Sequence, residues 1–521
     1  MDNLSELLTT HVRKQPERIA VATSDLRTVI SYRQLDALVR SAATQLSSMG
    51  MSRGDTVALI SDNSVDFVAG FLAIVFLGGR VAPLNQALTS NELSTRVSAL
   101  SAKAMLFPKH LAGQLENRKS PAGGAARWIM SIEGSGSAST VSIANDDGRT
   151  AKSEANAERS LPTIHRDDVA VVMFTAGSTS APKAVPLTHG NLVESINGIS
   201  SVYDLSPRDA TLIVMPLFHG HGLIAGLLST LASGGGAYLP STGVFSARLF
   251  WPDMARVGAT WYTAVPTIHR ILVNRAPQEY PSSSSVPLRF IRSCSAALDE
   301  SLARAICTTF GAPVIAAYGM TETAHQTASN PLPGHGANKT PSVGLPTGVE
   351  LRIIGDGRRD AATGTIGEIW VRGATVTAGY LNNPDANAAS FVDGWFRSGD
   401  LGSRDADGYL FVNGRLKDII NRGGEKISPN EIDTVLLSNP EVLEAASFGE
   451  PDSIYGESVH AAVVVRPGTE ITERELQEYC RSKLSGFEVP ERIHIVTGLP
   501  RTAKGSIDRR VLAGQFSVRT S

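Results

Sequence analysis

Several things are scarce in this chain, and each shortage removes a class of function. Cysteine occurs three times in 521 residues, as Cys294, Cys307 and Cys480. The three are scattered, odd in number and form no C-x-x-C pair. Neither a disulfide framework nor a structural zinc site is therefore expected, and a reducing, cytoplasmic setting is the natural one. Surplus charge is lacking too: 48 Lys and Arg against 50 Asp and Glu leave a formal net charge of −2. That balance argues against nucleic acid or an anionic membrane surface as the main partner. Long apolar runs are missing. The run around Phe67–Leu77 is too short and too glycine-flanked to span a bilayer. The first twenty residues carry charges and no apolar core, so no signal peptide is expected. The C-terminal Ser517–Ser521 does not match the S-K-L address. No internal repeat is found.

What is present is the composition of a globular enzyme, 42% apolar and 19% charged, with length enough for two to four domains. The first hundred residues alternate. Leu35–Met49 reads as helix, Thr56–Ile60 as strand, Val65–Leu77 as helix and Val81–Leu84 as strand. From Gly113 to Pro162 the chain turns rich in Ser, Gly, Ala and Asn. It is expected as loop with short strands, partly mobile.

The chain is organised around Phe174–Leu192. Val169–Phe174 is a continuous apolar run, the pattern of a strand buried on both faces. Thr188 opens a helical spacing through Leu192 and Ile196. Between them stand Thr175, Gly177, Ser178, Thr179, Ser180 and Lys183. Small residues let the backbone approach an anion, hydroxyls and main-chain N–H groups donate, and a lysine adds charge, which describes a polyphosphate cradle. It is not the Gly-Lys-Ser/Thr P-loop, since Pro182 precedes the lysine and Ala184 follows it. A plain polar surface loop is the competing reading.

The same strand–turn–helix pattern recurs. Leu212–Met215 leads into Pro216–Gly222, Thr260–Val265 into Pro266–His269, Phe290–Ile291 into Arg292–Leu298, and Val314–Ala317 into Tyr318–Thr323. In doubly wound α/β sheets ligands bind at the carboxyl ends of strands, so these turns are expected to converge on one crevice. Near residue 400 the style changes to short strands and turns, over Gly394–Gly402 and Asp405–Leu410. Ser428, Pro429 and Glu431 then read as a capping-box helix start, and Thr472 with Glu475 as another. The expectation is an α/β protein. The last hundred residues make a small α+β unit, separated from the rest near Gly414–Lys417.

Taken together these segments resemble the adenylate-forming acyl-activating (AMP-binding) superfamily, which includes acyl-CoA synthetases. The resemblance covers nearly the whole chain and implies a large N-terminal domain of doubly wound sheets with an accessory β-barrel-like part (1–413), a hinge (414–417) and a small mobile α+β domain (418–521). Its markers stand in order as TAGSTSAPK (175–183), PLFHGHG (216–222), AYGMTET (317–323), SGDLG (398–402), GRLKD (414–418), RGGEKISP (422–429) and PRTAKGSIDR (500–509). It implies a two-step reaction using ATP, Mg²⁺ and coenzyme A: a carboxylate attacks the α-phosphorus, then the CoA thiol displaces AMP after the C-terminal domain swings. By matching position, Thr175–Lys183, with Ser178, Thr179 and Ser180, would hold the β- and γ-phosphates. Thr321 would meet the α-phosphate and Glu322 the Mg²⁺. Ser295, Ala296, Ala297, Tyr318, Gly319 and Met320 would line the nucleotide, and Asp400 and Arg415 would bind the ribose hydroxyls. Lys417 would sit at the hinge, with Gly423, Gly424 and Lys426 facing CoA. Each has a plainer alternative as turn or surface residue, and it is the order along the chain that weighs against those.

His219, His221 and His325 are the sharper question. An H-x-H pair could ligate metal, but no convincing third ligand accompanies it. By the same resemblance His219 gates the acyl pocket, His221 and His325 lie along its wall, and Ser293 and Arg292 belong to the neighbouring turn. Imidazoles, a hydroxyl and a guanidinium suit a short second carboxylate better than a fatty tail. Histidines satisfied by backbone and facing away remain the alternative. RFIRSCSAAL (289–298), WYTAVPTIH (261–269) and NRGGEKISP (421–429) resemble the oxalate–CoA ligase branch, implying oxalate or another small dicarboxylate.

One departure counts. The family pattern P-x-x-x-S/T-G-K ends in a lysine that reaches the carboxylate and α-phosphate. Here Ser506 occupies that place and Lys504 stands two residues earlier. Losing one transition-state charge contact typically costs about 10²–10³ in rate. Three readings follow: a small-dicarboxylate CoA ligase in which Lys504 serves; a medium-chain or aromatic acyl-CoA synthetase, or a ligase for another acceptor; and a catalytically impaired nucleotide- or acyl-CoA-binding homologue.

Overall fold

The computed structural model describes residues 1–116, 124–134, 139–145, 148–150, 162–175, 182–281, 286–502 and 507–517. Two mostly parallel sheets make the body. Thr56–Ile60, Arg80–Leu84, Ala104–Pro108, Ala126–Glu133 and Val169–Phe174 run parallel within a seven-stranded sheet. Ala210–Leu212, Gly236–Leu239, Trp261–Ala264, Phe290–Ser293 and Val314–Tyr318 do so within a nine-stranded one. Strands such as Thr56–Ile60 and Trp261–Ala264 are buried along their whole length, which is why they read as unbroken apolar runs.

The apolar run near residue 70 has its explanation here. It is the helix Val65–Phe76, which packs on four strands of the first sheet and on Ile19–Thr23 of the second. A helix wedged between layers has no face left for water, so it is apolar all round. Among the described residues no helix is long and apolar enough to cross a membrane.

Within 113–162 the described residues are more regular than the composition suggests. Ala126–Glu133 and Thr140–Asn145 pair antiparallel at the sheet edge, with Trp128, Met130 and Ile143 buried. The helix expected after Pro216–Gly222 begins as a π-helix, His221–Leu228, and continues as α over Ser229–Ala232.

The accessory β part is a five-stranded antiparallel sheet running from Val349 to Arg415. A further five-stranded sheet, between Ile420 and Ile495, carries the helices Pro429–Leu437 and Glu473–Arg481. This C-terminal unit has its own cores, one around Ile420, Ile432, Leu436, Ala461 and Val463, the other around Phe448 and Leu512.

Two local expectations are corrected. Thr188 is a helix cap, paired with Asn191, but Ala184–Thr188 before it is a strand that folds back antiparallel on Val169–Phe174. The Gly/Ser/Thr stretch thus joins two strands of a hairpin instead of entering a helix directly. Ser428 does precede a helix, yet its hydroxyl donates to the Asn413 carbonyl at 2.7 Å and makes no cap. Thr472 and Glu475 form their capping box as expected.

Candidate active site

The carboxyl ends of Trp261–Ala264, Phe290–Ser293 and Val314–Tyr318 open on a crevice of about 690 Å³ between the body and the C-terminal unit. Ser295, Ala296 and Ala297 come from the turn after the second of these strands, Tyr318 and Gly319 from the end of the third. Asp400 and Arg415 face each other across adjacent antiparallel strands, with Arg415 Nε 3.0 Å from Asp400 Oδ1. Tyr318 donates its hydroxyl to Asp400 Oδ2 at 2.6 Å. Burial raises the Asp400 carboxyl above the usual range against the pull of Arg415 and Tyr318. The carboxylate is thus held at the wall by a cation and a phenol, a geometry able to accept from vicinal hydroxyls. Gly319 is required where it stands, because a Cβ there would fall 1.4 Å from the His325 carbonyl oxygen. Arg501, Ile507 and Arg509 close the crevice from the C-terminal side, and Arg501 donates to Thr267 Oγ1 at 2.9 Å.

A second group lies at the hairpin. The Thr175 amide donates to the Lys183 carbonyl at 3.0 Å and closes its neck. Ser178, Thr179 and Ser180 lie outside the described residues. Lys183 Nζ sits 4.5 Å from the centre of the Tyr380 ring, and the Tyr380 hydroxyl donates to Glu322 Oε1 at 2.9 Å. Burial and the Glu322 carboxylate hold that phenol far above its usual pKa. Thr321 and Glu322 share one short 3₁₀ turn after Met320. Sequence reasoning missed Tyr380. Its signal was the G-Y-L-N-N-P run, where Asn387 Oδ1 accepts from the Tyr380 amide at 2.6 Å and fixes the ring's backbone.

The third group is buried. His221 Nδ1 lies 3.1 Å from Ser295 Oγ and Nε2 lies 2.6 Å from Thr263 Oγ1. Its ring stacks on His325 at 5.2 Å between centroids. Burial, then the neighbouring His325 and Arg292, push the His221 imidazole well below its usual pKa. Arg292 is 0% exposed and donates to Tyr203 Oη (3.0 Å), Thr263 Oγ1 (3.1 Å), His325 Nε2 (3.1 Å) and Gln326 Oε1 (3.2 Å). Ala324 and His325 adopt left-handed backbone conformations, φ 49° and 83°. They are held by Ser195 Oγ on the Ala324 carbonyl (2.6 Å) and the Met320 carbonyl on the His325 amide (2.9 Å). Strain of this kind persists only where the surroundings over-determine it.

Ser293 does not join these imidazoles. Thr263 pairs with Arg292 across the sheet and shares its face, so Ser293 points to the other side, where it lines the crevice. Its buried hydroxyl has no hydrogen-bond partner among the described residues. His219 packs its ring at a tilt against Phe218, with centroids 4.5 Å apart. Lys417 stands at the end of the antiparallel sheet, its pKa lowered by desolvation and then by Arg415. Gly423 and Gly424 make the tight turn of the hairpin Ile420–Ile427, both at positive φ, and neither they nor Lys426 line the crevice. Lys504 and Ser506 fall outside the described residues.

A family model described as "AMP-binding enzyme" matches residues 8–381, and one described as "AMP-binding enzyme C-terminal domain" matches residues 431–506. The chain is 43% identical to an oxalate–CoA ligase of Arabidopsis thaliana over 521 residues, 99% of each chain. It is 36% identical to an oxalate–CoA ligase of Saccharomyces cerevisiae over 96% of this chain and 95% of that one. The structure superimposes on ATP-bound MatB from Rhodopseudomonas palustris with a TM-score of 0.86 and 28% identity, covering 99% of both chains. With both family models matched and these identities spread along nearly the whole chain, the chain belongs to the AMP-binding enzyme family.

Proposed function

We propose that this chain is an ATP- and Mg²⁺-dependent carboxylic acid–CoA ligase that acts through an acyl-adenylate, with oxalate or another small dicarboxylate as its acid. The observation that carries the choice of acid is Arg292. It is fully buried, and among the described residues none of its partners is a carboxylate. A buried cation without a counter-ion is strongly unfavourable. A substrate whose second carboxylate enters beside it supplies the missing charge, whereas a hydrocarbon tail would not. The 43% identical oxalate–CoA ligase supports the same acid.

The remaining groups fit the nucleotide. Asp400 and Arg415 bind the ribose hydroxyls; Lys183 and the hairpin it closes neutralise phosphate oxygens; Thr321 donates to the α-phosphate. Glu322 suits Mg²⁺: one carboxylate oxygen is held by Tyr380, the other has no partner among the described residues, and Mg²⁺ prefers a carboxylate or two plus phosphate oxygens and waters. The ion would spread charge on the phosphoryl oxygens as the carboxylate attacks. The chain's own residues hold that carboxylate in line and exclude water. The face carrying Arg501 and Ile507 lies on the crevice while the Ile420–Ile427 hairpin is turned away, which suits the adenylation half. Rotation about 414–417, at Lys417, would then bring Gly423, Gly424 and Lys426 to the CoA side.

Ser506 favours a second reading, a homologue impaired in adenylation that still binds nucleotide or acyl-CoA. ATP–pyrophosphate exchange across an acid panel separates these. Exchange with oxalate or malonate but not hexanoate or benzoate is expected. The reversed preference rejects the small diacid, and no exchange together with measurable ATP binding selects the impaired homologue.

A further inference from the structure

We propose that Thr263 and Arg292 are positioning residues that fix the ring protons of His221 and His325 on Nδ1, and that the His221 proton in turn commits the Ser295 hydroxyl to donating toward the acid. The inference rests on the acid-binding reading of this pocket and adds to it which residues impose the recognition.

A guanidinium has five N–H groups and no acceptor, so every contact it makes has a known direction. Arg292 Nη2 lies 3.1 Å from His325 Nε2. That nitrogen must carry its lone pair, and the ring is neutral with its proton on Nδ1. Arg292 Nη1 donates to Thr263 Oγ1 at 3.1 Å. Thr263 is buried, and among the described residues its hydroxyl has two partners, Arg292 and His221 Nε2 at 2.6 Å. If His221 donated from Nε2, the hydroxyl would receive from both neighbours and its own proton would have no acceptor in a dry site. The hydroxyl therefore donates to Nε2. The proton of His221 then sits on Nδ1 and is given to Ser295 Oγ at 3.1 Å.

Ser295 stands at the crevice, in a left-handed conformation with φ 71°. With its oxygen already accepting, its hydroxyl turns its proton outward. One direction runs through the whole set, from Arg292 to Thr263 to His221 to Ser295, and ends on the oxygen of a bound carboxylate. Arg292 fixes the tautomer of His325 in the same way. The stacking of the two rings at 5.2 Å and 26° keeps both on one wall. A Ser295 hydroxyl committed to donating favours a carboxylate oxygen over the N–H of a carboxamide or the O–H of an undissociated acid.

The test is made on the full-length chain. Histidine-selective ¹⁵N labelling, assigned with His221→Gln and His325→Gln, reads the tautomers directly. Protons on Nδ1 of both rings are expected. A proton on Nε2 of His221 in the unaltered protein overturns the proposal. In parallel, Thr263→Val is expected to raise the KM for the diacid about 10-fold or more and to leave the KM for ATP unchanged, with Thr263→Ser restoring both the KM and the Nδ1 proton. Equal behaviour of the Val and Ser variants in tautomer and KM overturns it. Nδ1 protons combined with no exchange on any diacid would uphold the proton order and reject the small-diacid reading instead.

Discussion

Replacing Arg292 with methionine removes one buried charge and keeps much of the side-chain volume. In the free protein the change is close to neutral. Tyr203 keeps its 2.7 Å contact with Ser329, and Thr263 keeps His221. His325 Nε2 loses its donor, at a cost of about 1–3 kcal/mol. Against this stands the desolvation penalty of the guanidinium, several kcal/mol, which disappears. Net stability should therefore shift by no more than about 2 kcal/mol in either direction. Binding of a diacid should suffer more. A second carboxylate one imidazole layer away, about 5–7 Å, is attracted by about 2.4–3.3 kcal/mol at an effective dielectric of about 20. The KM for oxalate or malonate should rise about 60- to 270-fold, while the KM for ATP and any residual turnover of acetate stay put. Pyrophosphate exchange with each acid reads this, with a thermal melt run alongside. An unchanged diacid KM in a folded variant, or the same loss for diacid and acetate, would refute the assignment of Arg292 as the counter-charge.

Ser506→Lys should raise the adenylation rate; if it does not, and Lys504→Ala abolishes exchange, Lys504 has taken over the role. Tyr380→Phe keeps the ring under Lys183 and deletes the donor to Glu322, so kcat/KM for ATP should fall about 10- to 100-fold, as loss of a hydrogen bond to a charged group implies, with the KM for the acid unmoved. His189 and His269 are fully buried and held near pKa 4 chiefly by desolvation. An unfolded chain takes up these protons near pH 6.5 and the folded one does not, so stability rises with pH between about 4 and 6.5. By pH 5 each should have cost about 2 kcal/mol relative to pH 7.5. Urea titrations should show the loss smaller by about 2 kcal/mol in His189→Gln, and an identical pH slope in that variant would contradict it.

Two of the buried strands were readable to the residue, Thr56–Ile60 and Val169–Phe174, whereas the runs Leu212–Met215 and Thr260–Val265 only approximate the strands Ala210–Leu212 and Trp261–Ala264, because apolar residues continue into the neighbouring turns. Ala184–Thr188 was not readable, because a short strand holding Pro186 carries little periodic signal and is made by its partner. The two capping boxes show the same division. Thr472 found its local partner Glu475, whereas Ser428 was captured by a carbonyl fifteen residues back. Most of the candidate site announced itself through small residues and charges at strand ends. Arg292 and Thr263 lie inside strands, where polar residues carry no pattern, and only the parallel register sets them side by side. Tyr380 is far in sequence from Lys183 and Glu322, and nothing local says that one ring serves both.

That shared ring has an effect on the resting enzyme. A lysine and a glutamate this near each other would ordinarily attract until they touched, and a cleft so latched would have to be prised open by every incoming nucleotide. The phenol holds each at arm's length, its face toward the ammonium and its hydroxyl toward the carboxylate. Among the described residues neither charge is paired with the other, and under the proposed function both are available to an incoming triphosphate.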